Sequence, residues 1–88
     1  MRITAEISYY PLHESFVTDI SAFVTDLRRQ NGIEVVTNRM STQLRGEFDA
    51  VTGAIARCMK SSLAGPGTRA VIVKYLNADL DIAADPKR

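Results

Sequence analysis

The sequence predicts a single α+β domain in which six elements follow one another in the order βαββαβ. Apolar residues alternate with polar ones in residues 2–10, which is typical of a half-buried strand. Two later segments place apolar residues three and four positions apart, as amphipathic helices do. Two βαβ halves with right-handed crossovers form a four-stranded antiparallel sheet with both helices on one face. This is the ferredoxin-like arrangement.

The first strand and first helix have clear limits. Residues 2–10 alternate, and Pro11 ends the strand because proline has no N–H to donate to a neighbouring strand. From about Glu14 the period changes to that of a helix, and Asn31-Gly32 supplies its stop. The predicted apolar stripe of this helix consists of Phe16, Val17, Ile20, Phe23, Val24 and Leu27.

The second half of the chain repeats this pattern. We predict a second strand over Ile33–Thr37 and a third over Met40–Arg45, with a tight turn at Asn38-Arg39 and with Gly46 breaking the third strand. A second helix follows, and the loop Ala64-Gly65-Pro66-Gly67 separates it from a fourth strand. The predicted stripe of the second helix is Phe48, Val51, Ile55, Cys58, Met59 and Leu63, and the fourth strand is Arg69 to Leu76.

The domain is expected to span residues 1–80. Residues from Asn77 onward show no clear period, so we expect them to begin as an extension of the fourth strand. Residues 81–88 are expected to form a flexible C-terminal tail.

Composition excludes several classes of function. The 11 basic and 10 acidic residues give a net charge of +1, which offers no bulk attraction to nucleic acid or to a membrane surface. The longest apolar run, residues 70–73, is far shorter than the ~20 residues that span a bilayer. Glu6 interrupts the segment where a signal peptide would need apolar residues. We therefore expect a soluble cytoplasmic protein.

No catalytic or metal motif is evident. Cys58 is the only cysteine, which excludes an internal disulfide and a multi-cysteine metal cluster. It lies in a helical apolar stripe, where a free cysteine acts as a small hydrophobic residue. His13 precedes a helix and is expected at the surface, in a different element from Cys58. We expect neither an enzyme nor a bound cofactor or metal.

The sheet face away from the helices carries the candidate site. The first and third strands form the central pair in this topology, so their outward polar residues lie side by side along the middle of the sheet. We expect Glu6 to pair with Arg45 across these two strands. A face of this kind has three interpretations: a solvent-exposed sheet, a surface for a second subunit, or a floor for a small polar ligand. The outward positions of the third strand lack the aromatic residues of an RNA-binding sheet.

Two segments carry a resemblance to a known family. Ile7-Ser8-Tyr9-Tyr10-Pro11-Leu12 resembles the S-x-Y-P-L opening of the YkoF-like and MTH-type thiamine (hydroxymethylpyrimidine)-binding family. Residues 37–46 are similar to the hairpin of that family, in which a small residue and threonine follow methionine and a glycine comes at the end. Many relatives have an acidic residue before this glycine, whereas the sequence has Arg45.

The resemblance implies a non-catalytic protein that binds thiamine or its hydroxymethylpyrimidine moiety. It also implies a homodimer or tetramer formed through the sheets. The alternative is a structural or regulatory module whose outer face mates with another subunit. The side chains expected to contact a ligand are polar or aromatic and lie in the first strand, the hairpin turn and the third strand. They are Glu6, Ser8, Tyr10, Asn38, Ser41 and Gln43. Thr42 matches the motif too, but the alternation along the third strand directs its side chain toward the helices.

Overall fold

The computed structural model describes residues 1–13 and 16–84 and confirms the predicted architecture. The sheet has the order β2-β3-β1-β4, and every neighbouring pair of strands is antiparallel. Strands β1 and β3 are therefore the central pair, as predicted. The elements are β1 (Arg2–Pro11), α1 (Phe16–Arg28), β2 (Ile33–Thr37), β3 (Thr42–Glu47), α2 (Phe48–Leu63) and β4 (Arg69–Leu76).

The hydrophobic core lies between the sheet and the two helices. Alternation along β1 sends Ile3, Ala5 and Ile7 to the helix side, where each is at most 3% exposed. Burying a side chain of this size contributes about 1.5–3 kcal/mol, so this inner layer supplies much of the stability of a small domain. The remaining buried members of this core are Phe23, Leu27, Leu44, Val51, Ile55 and Cys58.

Both predicted bounds of the third strand, Met40 and Arg45, are wrong. Strand β3 begins at Thr42 and continues through Gly46 to Glu47, and α2 begins at the next residue. A Cβ atom at Gly46 would lie 2.7 Å from the carbonyl oxygen of Gly32. Gly46 is therefore present because another backbone segment approaches the strand closely, which is a second common reason for glycine inside a strand.

The segment after β4 does not extend that strand, contrary to expectation. Strand β4 ends at Leu76, and the backbone then reaches Thr4 on the outer face of the sheet. The Thr4 hydroxyl donates to the carbonyl oxygen of Ala78 at 2.7 Å and accepts from the N–H of Leu80 at 2.9 Å. We call residues 77–80 the C-terminal strap. Of the predicted flexible tail, residues 85–88 lie outside the described part of the chain.

Candidate functional site

Three of the predicted ligand-binding residues form a hydrogen-bonded group at the centre of the outer sheet face. Glu6 of β1 lies opposite Gln43 of β3. Ser41 donates its hydroxyl to Glu6 Oε2 at 2.8 Å and accepts from Gln43 Nε2 at 2.7 Å. We call Glu6, Ser41 and Gln43 the polar strip. Because each side chain contacts the next, the strip presents its polar atoms in a defined geometry.

The carboxylate of Glu6 is held in its ionised form. The hydrogen bond from Ser41 lowers the pKa of Glu6 below its ordinary value, and the charge of Lys74 acts in the same direction. Burial opposes this shift but is outweighed. Lys74 Nζ lies 3.5 Å from Glu6 Oε1, and its side chain is 69% exposed. The strip therefore offers an anionic acceptor whose nearest cation is largely exposed to solvent.

Ser8 and Tyr10 continue the same face along β1 beyond Glu6. They lie opposite Ile72 and Ala70 of β4, and the side chain of Tyr10 is 48% exposed. Neither side chain hydrogen-bonds to another part of the described chain. Both side chains are thus available to a ligand or a second protein. They lie beside the polar strip and are not part of its hydrogen-bonded group.

Asn38 has a different position from the other predicted residues. Its Oδ1 accepts hydrogen bonds from the backbone N–H groups of Met40 at 2.8 Å and Ser41 at 3.1 Å. This is the local pattern by which asparagine stabilises a turn. Asn38 therefore shapes the β2–β3 hairpin that places Ser41 against Glu6.

The expected pair between Glu6 and Arg45 is wrong. The β1–β3 register places Arg45 opposite Thr4, two residues away from Glu6. Instead, Arg45 Nε lies 2.7 Å from Oε2 of Glu34, the residue directly opposite on β2. Arg45 also donates a hydrogen bond to the carbonyl oxygen of Leu80 at 2.8 Å. Arg45 is thus engaged with β2 and the C-terminal strap, and the charge of Glu6 is left for Lys74 or a ligand.

A cleft of about 120 Å³ lies on the opposite side of the sheet, and the sequence reasoning missed it. It opens between α1 and the β2–β3 hairpin. Its floor includes Thr42, which is 6% exposed and whose hydroxyl lies 3.0 Å from that of Thr37. One feature of the sequence could have indicated the cleft: Thr37 and Thr42 place polar side chains at helix-facing positions of two neighbouring strands. The cleft shares Asn38 and Ser41 with the predicted site and is otherwise separate from it.

The two residues weighed as catalytic candidates lie in different surroundings. Cys58 is 3% exposed, so it is a core residue as expected, and burial raises the pKa of its thiol. His13 is half-buried instead of lying at the surface. Its Nε2 is 2.7 Å from Asp19 Oδ2, which also lies 3.4 Å from Arg69 Nη2. This arrangement ties the first turn of α1 to the start of β4.

Two further kinds of site can be assessed directly. Within residues 1–13 and 16–84, no group of three His, Cys, Asp or Glu side chains is placed to hold a metal ion. In the same residues, neither helix has both the length and the apolar character needed to cross a membrane.

Comparison with known proteins identifies the fold. No family model matches the chain, and the search of curated proteins found no match either. Among solved structures, the hypothetical protein MJ1052 from Methanocaldococcus jannascii is 21% identical with a TM-score of 0.77, and the match covers 89% of this chain and 81% of that one. A DUF77 domain from Bacillus cereus is 16% identical with a TM-score of 0.75, covering 93% and 84%.

A third similar structure has a name that concerns metabolism. It is a candidate thiamine biosynthesis/salvage protein, TM0486, from Thermotoga maritima. It is 11% identical with a TM-score of 0.74, and the match covers 98% of this chain and 90% of that one. At these identities the three likenesses establish a shared fold, and the function has to be argued from the residues.

Proposed function

We propose that this chain is a non-catalytic, cytoplasmic binding domain for thiamine or its hydroxymethylpyrimidine moiety. The observation that carries the proposal is the polar strip, in which an ionised carboxylate, a hydroxyl and a carboxamide are held together on an open sheet face. The name of the Thermotoga maritima protein supports the same ligand class. The segments at residues 7–12 and 37–46 that resemble the thiamine-binding family include Ser41 and Gln43.

The chemistry of an aminopyrimidine complements the strip. Its exocyclic amine donates hydrogen bonds, which the carboxylate of Glu6 accepts, and its ring nitrogens accept from the Gln43 carboxamide. The thiazolium ring of thiamine is a cation, which Glu6 balances by charge and Tyr10 by its aromatic face. Ser8 and Asn38 border this area and supply further polar contacts.

A second copy of the chain completes the site in this proposal. Ligand sites are usually concave, whereas one sheet face is too flat to surround a ligand. Apolar side chains flank the strip: Val36 on β2 lies beside Gln43, and Ile72 on β4 is 61% exposed. A homodimer or tetramer formed through these faces would bury that apolar margin and enclose the ligand between two strips.

Calorimetric titration of the protein with thiamine and with hydroxymethylpyrimidine tests the proposal. We expect saturable heat with wild type and its loss in Gln43→Leu, since leucine removes both the donor and the acceptor of the carboxamide. Ser61→Leu makes a similar polar-to-apolar change at an exposed position of α2 and should bind normally. Absence of both heat and a thermal shift at millimolar ligand would exclude this function.

The alternative function is a protein-interaction module, favoured by the exposure of Ile72 and Tyr10 beside the strip. Under this alternative the outer face only mates with another subunit. Gln43→Leu would then preserve or strengthen association, because it enlarges the apolar area of the face. Sedimentation equilibrium of wild type and variant, with and without thiamine, separates the two functions.

A further inference from the structure

The C-terminal strap is bound to the outer sheet face mainly by its backbone. The Thr4 hydroxyl donates to the Ala78 carbonyl oxygen at 2.7 Å and accepts from the Leu80 N–H at 2.9 Å. The Leu80 carbonyl oxygen accepts from Arg45 Nη1 at 2.8 Å. These three strap groups belong to the peptide backbone, which every extended chain carries. The face therefore holds an extended segment here largely without regard to its side chains.

One side chain of the strap is recognised as well. Asp79 Oδ2 lies 2.9 Å from Arg2 Nε, and Asp79 Oδ1 lies 3.8 Å from Arg45 Nε. The carboxylate thus lies between two guanidinium groups, which form the strongest hydrogen bonds to carboxylates. Leu80, by contrast, is 46% exposed. We call Arg2, Thr4 and Arg45 the outer clamp, which selects an acidic residue and accepts varied neighbours.

The outer clamp is built on the two central strands of the sheet. Thr4 of β1 lies directly opposite Arg45 of β3, and Arg2 precedes Thr4 by two residues on the same face. Glu34 of β2 lies opposite Arg45, with its Oε2 atom 2.7 Å from Arg45 Nε. Because β1 and β3 are each paired on both sides, the backbone of the outer clamp does not depend on the strap.

The charges around the outer clamp favour an anion. Its two guanidinium groups have one neighbouring carboxylate besides that of the strap, which belongs to Glu34. Glu47 lies opposite Arg2, but its Oε2 atom is 3.3 Å from the amine of Met1. Without Asp79, the outer clamp would therefore keep an unbalanced positive charge. An acidic residue supplies the charge that balances it.

The strap is held weakly enough to exchange with another segment. The side chains of Arg2 and Asp79 are 45% and 41% exposed, and exposed ion pairs contribute little to stability. No residue of the strap belongs to the hydrophobic core of the described chain. A segment that rests on a few polar contacts detaches at a lower free-energy cost than global unfolding. The strap therefore has a bound and a released state.

We propose that the outer clamp is a docking site for an extended acidic segment of a partner protein, and that the strap is its competitor within the chain. The segment carries Asp or Glu between a free carbonyl and a free N–H, both of which bond to Thr4. Proline cannot follow the acidic residue, because it has no N–H. The site needs neither Glu6 nor Gln43, so it goes beyond the proposed thiamine function.

The strap sets how strongly a partner must bind. The apparent affinity of a partner is reduced by the fraction of chains in which the strap is released. An attached segment also competes at an effective concentration in the millimolar range. A partner overcomes both by contacts that the strap does not make. The open half of the face adjoins the outer clamp and offers Lys74, which is 69% exposed, as a further cation.

Nuclear magnetic resonance titration with the end-blocked tetrapeptide Asn-Ala-Asp-Leu, the sequence of the strap, tests this site. The protein is the full chain with Asp79→Asn and Leu80→Pro, which remove the carboxylate and one N–H from the strap and leave the outer clamp intact. We call it the strap-released variant. We expect amide shifts at Thr4 and Arg45 with a Kd of about 1–10 mM.

Two comparisons accompany this titration. Wild type should bind the peptide at least about tenfold more weakly than the strap-released variant, because its strap occupies the outer clamp. The peptide Asn-Ala-Asn-Leu should bind the strap-released variant at least about threefold more weakly than the acidic peptide, because it lacks the charge.

Further substitutions locate the bound peptide. In the strap-released variant, Arg45→Met should abolish binding, whereas Lys74→Met removes a cation from the open half and should leave binding unchanged. Arg2→Met, at a more exposed position, serves the same purpose if Arg45→Met does not fold. Asp81→Asn alone is the control for the strap substitutions, since Asp81 accepts from the N–H of Ala83 beyond the strap. This control should bind the peptide as weakly as wild type.

The outcomes separate the outer clamp from the polar strip. Peptide binding that survives Gln43→Leu and is lost in Arg45→Met supports the proposal, whatever thiamine does at the strip. Equal affinity for the acidic and amide peptides, or no shifts at about 20 mM acidic peptide, would overturn it. Concentration-dependent shifts at Thr4 and Arg45 without peptide would assign the outer clamp to a second copy of the chain and would overturn it as well.

Discussion

The outer face of the sheet consists of two halves that look alike in sequence and differ in the folded chain. In one half, Thr4 and Arg45 lie under the C-terminal strap, and Thr4 is only 4% exposed. In the other half, Glu6 and Gln43 lie on the same strands and the same face but remain open. Both halves show the alternating pattern of a polar sheet surface.

The difference shows which polar groups are available to a partner. In the covered half, the Thr4 hydroxyl has both a donor and an acceptor within the chain, and Arg45 contacts Glu34, Asp79 and Leu80. In the open half, Glu6 and Gln43 keep part of their hydrogen-bonding capacity. The covered half thus serves stability, whereas the open half is free for binding. Four predictions test this division, from the largest expected effect to the smallest.

Thr4→Val should have the largest effect on stability. Valine has nearly the shape of threonine but leaves the Leu80 N–H and the Ala78 carbonyl without their partner. We expect a loss of about 1–3 kcal/mol in the free energy of unfolding, measured by urea denaturation. Ser8→Val is the matched control, because Ser8 lies on the same strand and face in the open half.

The control should change the free energy of unfolding by less than about 0.5 kcal/mol, as exposed substitutions usually do. Equal losses in Thr4→Val and Ser8→Val would mean that the strap contributes nothing to stability. The two halves of the face would then not differ in the way described.

Arg45→Met should cost about 1 kcal/mol. The change removes the contact with Glu34 at 2.7 Å and the hydrogen bond to the Leu80 carbonyl, while methionine keeps most of the apolar stem. Lys74→Met in the open half should cost at most about 0.5 kcal/mol, because the Lys74–Glu6 pair is exposed and long. Urea denaturation at low and high salt checks both values, and a larger loss for Lys74→Met would contradict the comparison.

Ser41→Ala should raise the pKa of Glu6 toward its ordinary value. The hydrogen bond from Ser41 is the largest cause of the lowered pKa, ahead of the charge of Lys74. Lys74→Met should raise it as well, since the charge and a hydrogen bond of Lys74 each lower this pKa by less than the Ser41 bond does. Carbon-detected magnetic resonance titration of the Glu6 carboxyl measures both variants, and an unchanged pKa in Ser41→Ala would show that Lys74, and not the hydrogen bond from Ser41, holds Glu6 ionised.

The smallest effect concerns the pH dependence of stability. Because the pKa of Glu6 is lower in the folded than in the unfolded chain, its contribution is present above the ordinary value of 4.5 and is lost as pH falls through the folded value. Wild type should thus be slightly more stable than Glu6→Gln at neutral pH, and the two should converge in acid. Thermal unfolding across that range checks the sign, and divergence in acid would contradict it.

Much of the fold was predictable because periodicity in the chain reports which side of an element is buried. The bounds of β2 and β4 were predicted to the residue, and the helix-facing residues of β1 were assigned correctly. Gly46 was misassigned because glycine marks both strand ends and close backbone approaches, and sequence alone does not distinguish them. The approach of Gly32 to Gly46 joins residues far apart along the chain.

The candidate site was predictable in part. Alternation placed Glu6, Ser41 and Gln43 on one face, and the structure shows that they contact one another. Alternation did not reveal the partner of Arg45. A shift of two residues in the pairing of β1 with β3 changes which residue lies opposite Arg45 but leaves Arg45 on the same face. Nor did alternation reveal the cleft, since a cavity depends on how a helix and a hairpin pack.

The amino-acid sequence by itself determined the order of the elements, the topology of the sheet and the identity of its two faces. These follow from local periodicity and from turn residues, which act over a few positions. Only the tertiary structure decided which half of the outer face remains open, since that depends on the strap returning from residues 77–80 to Thr4. A contact between residues more than seventy positions apart is a property of the packed chain, because no local pattern encodes it.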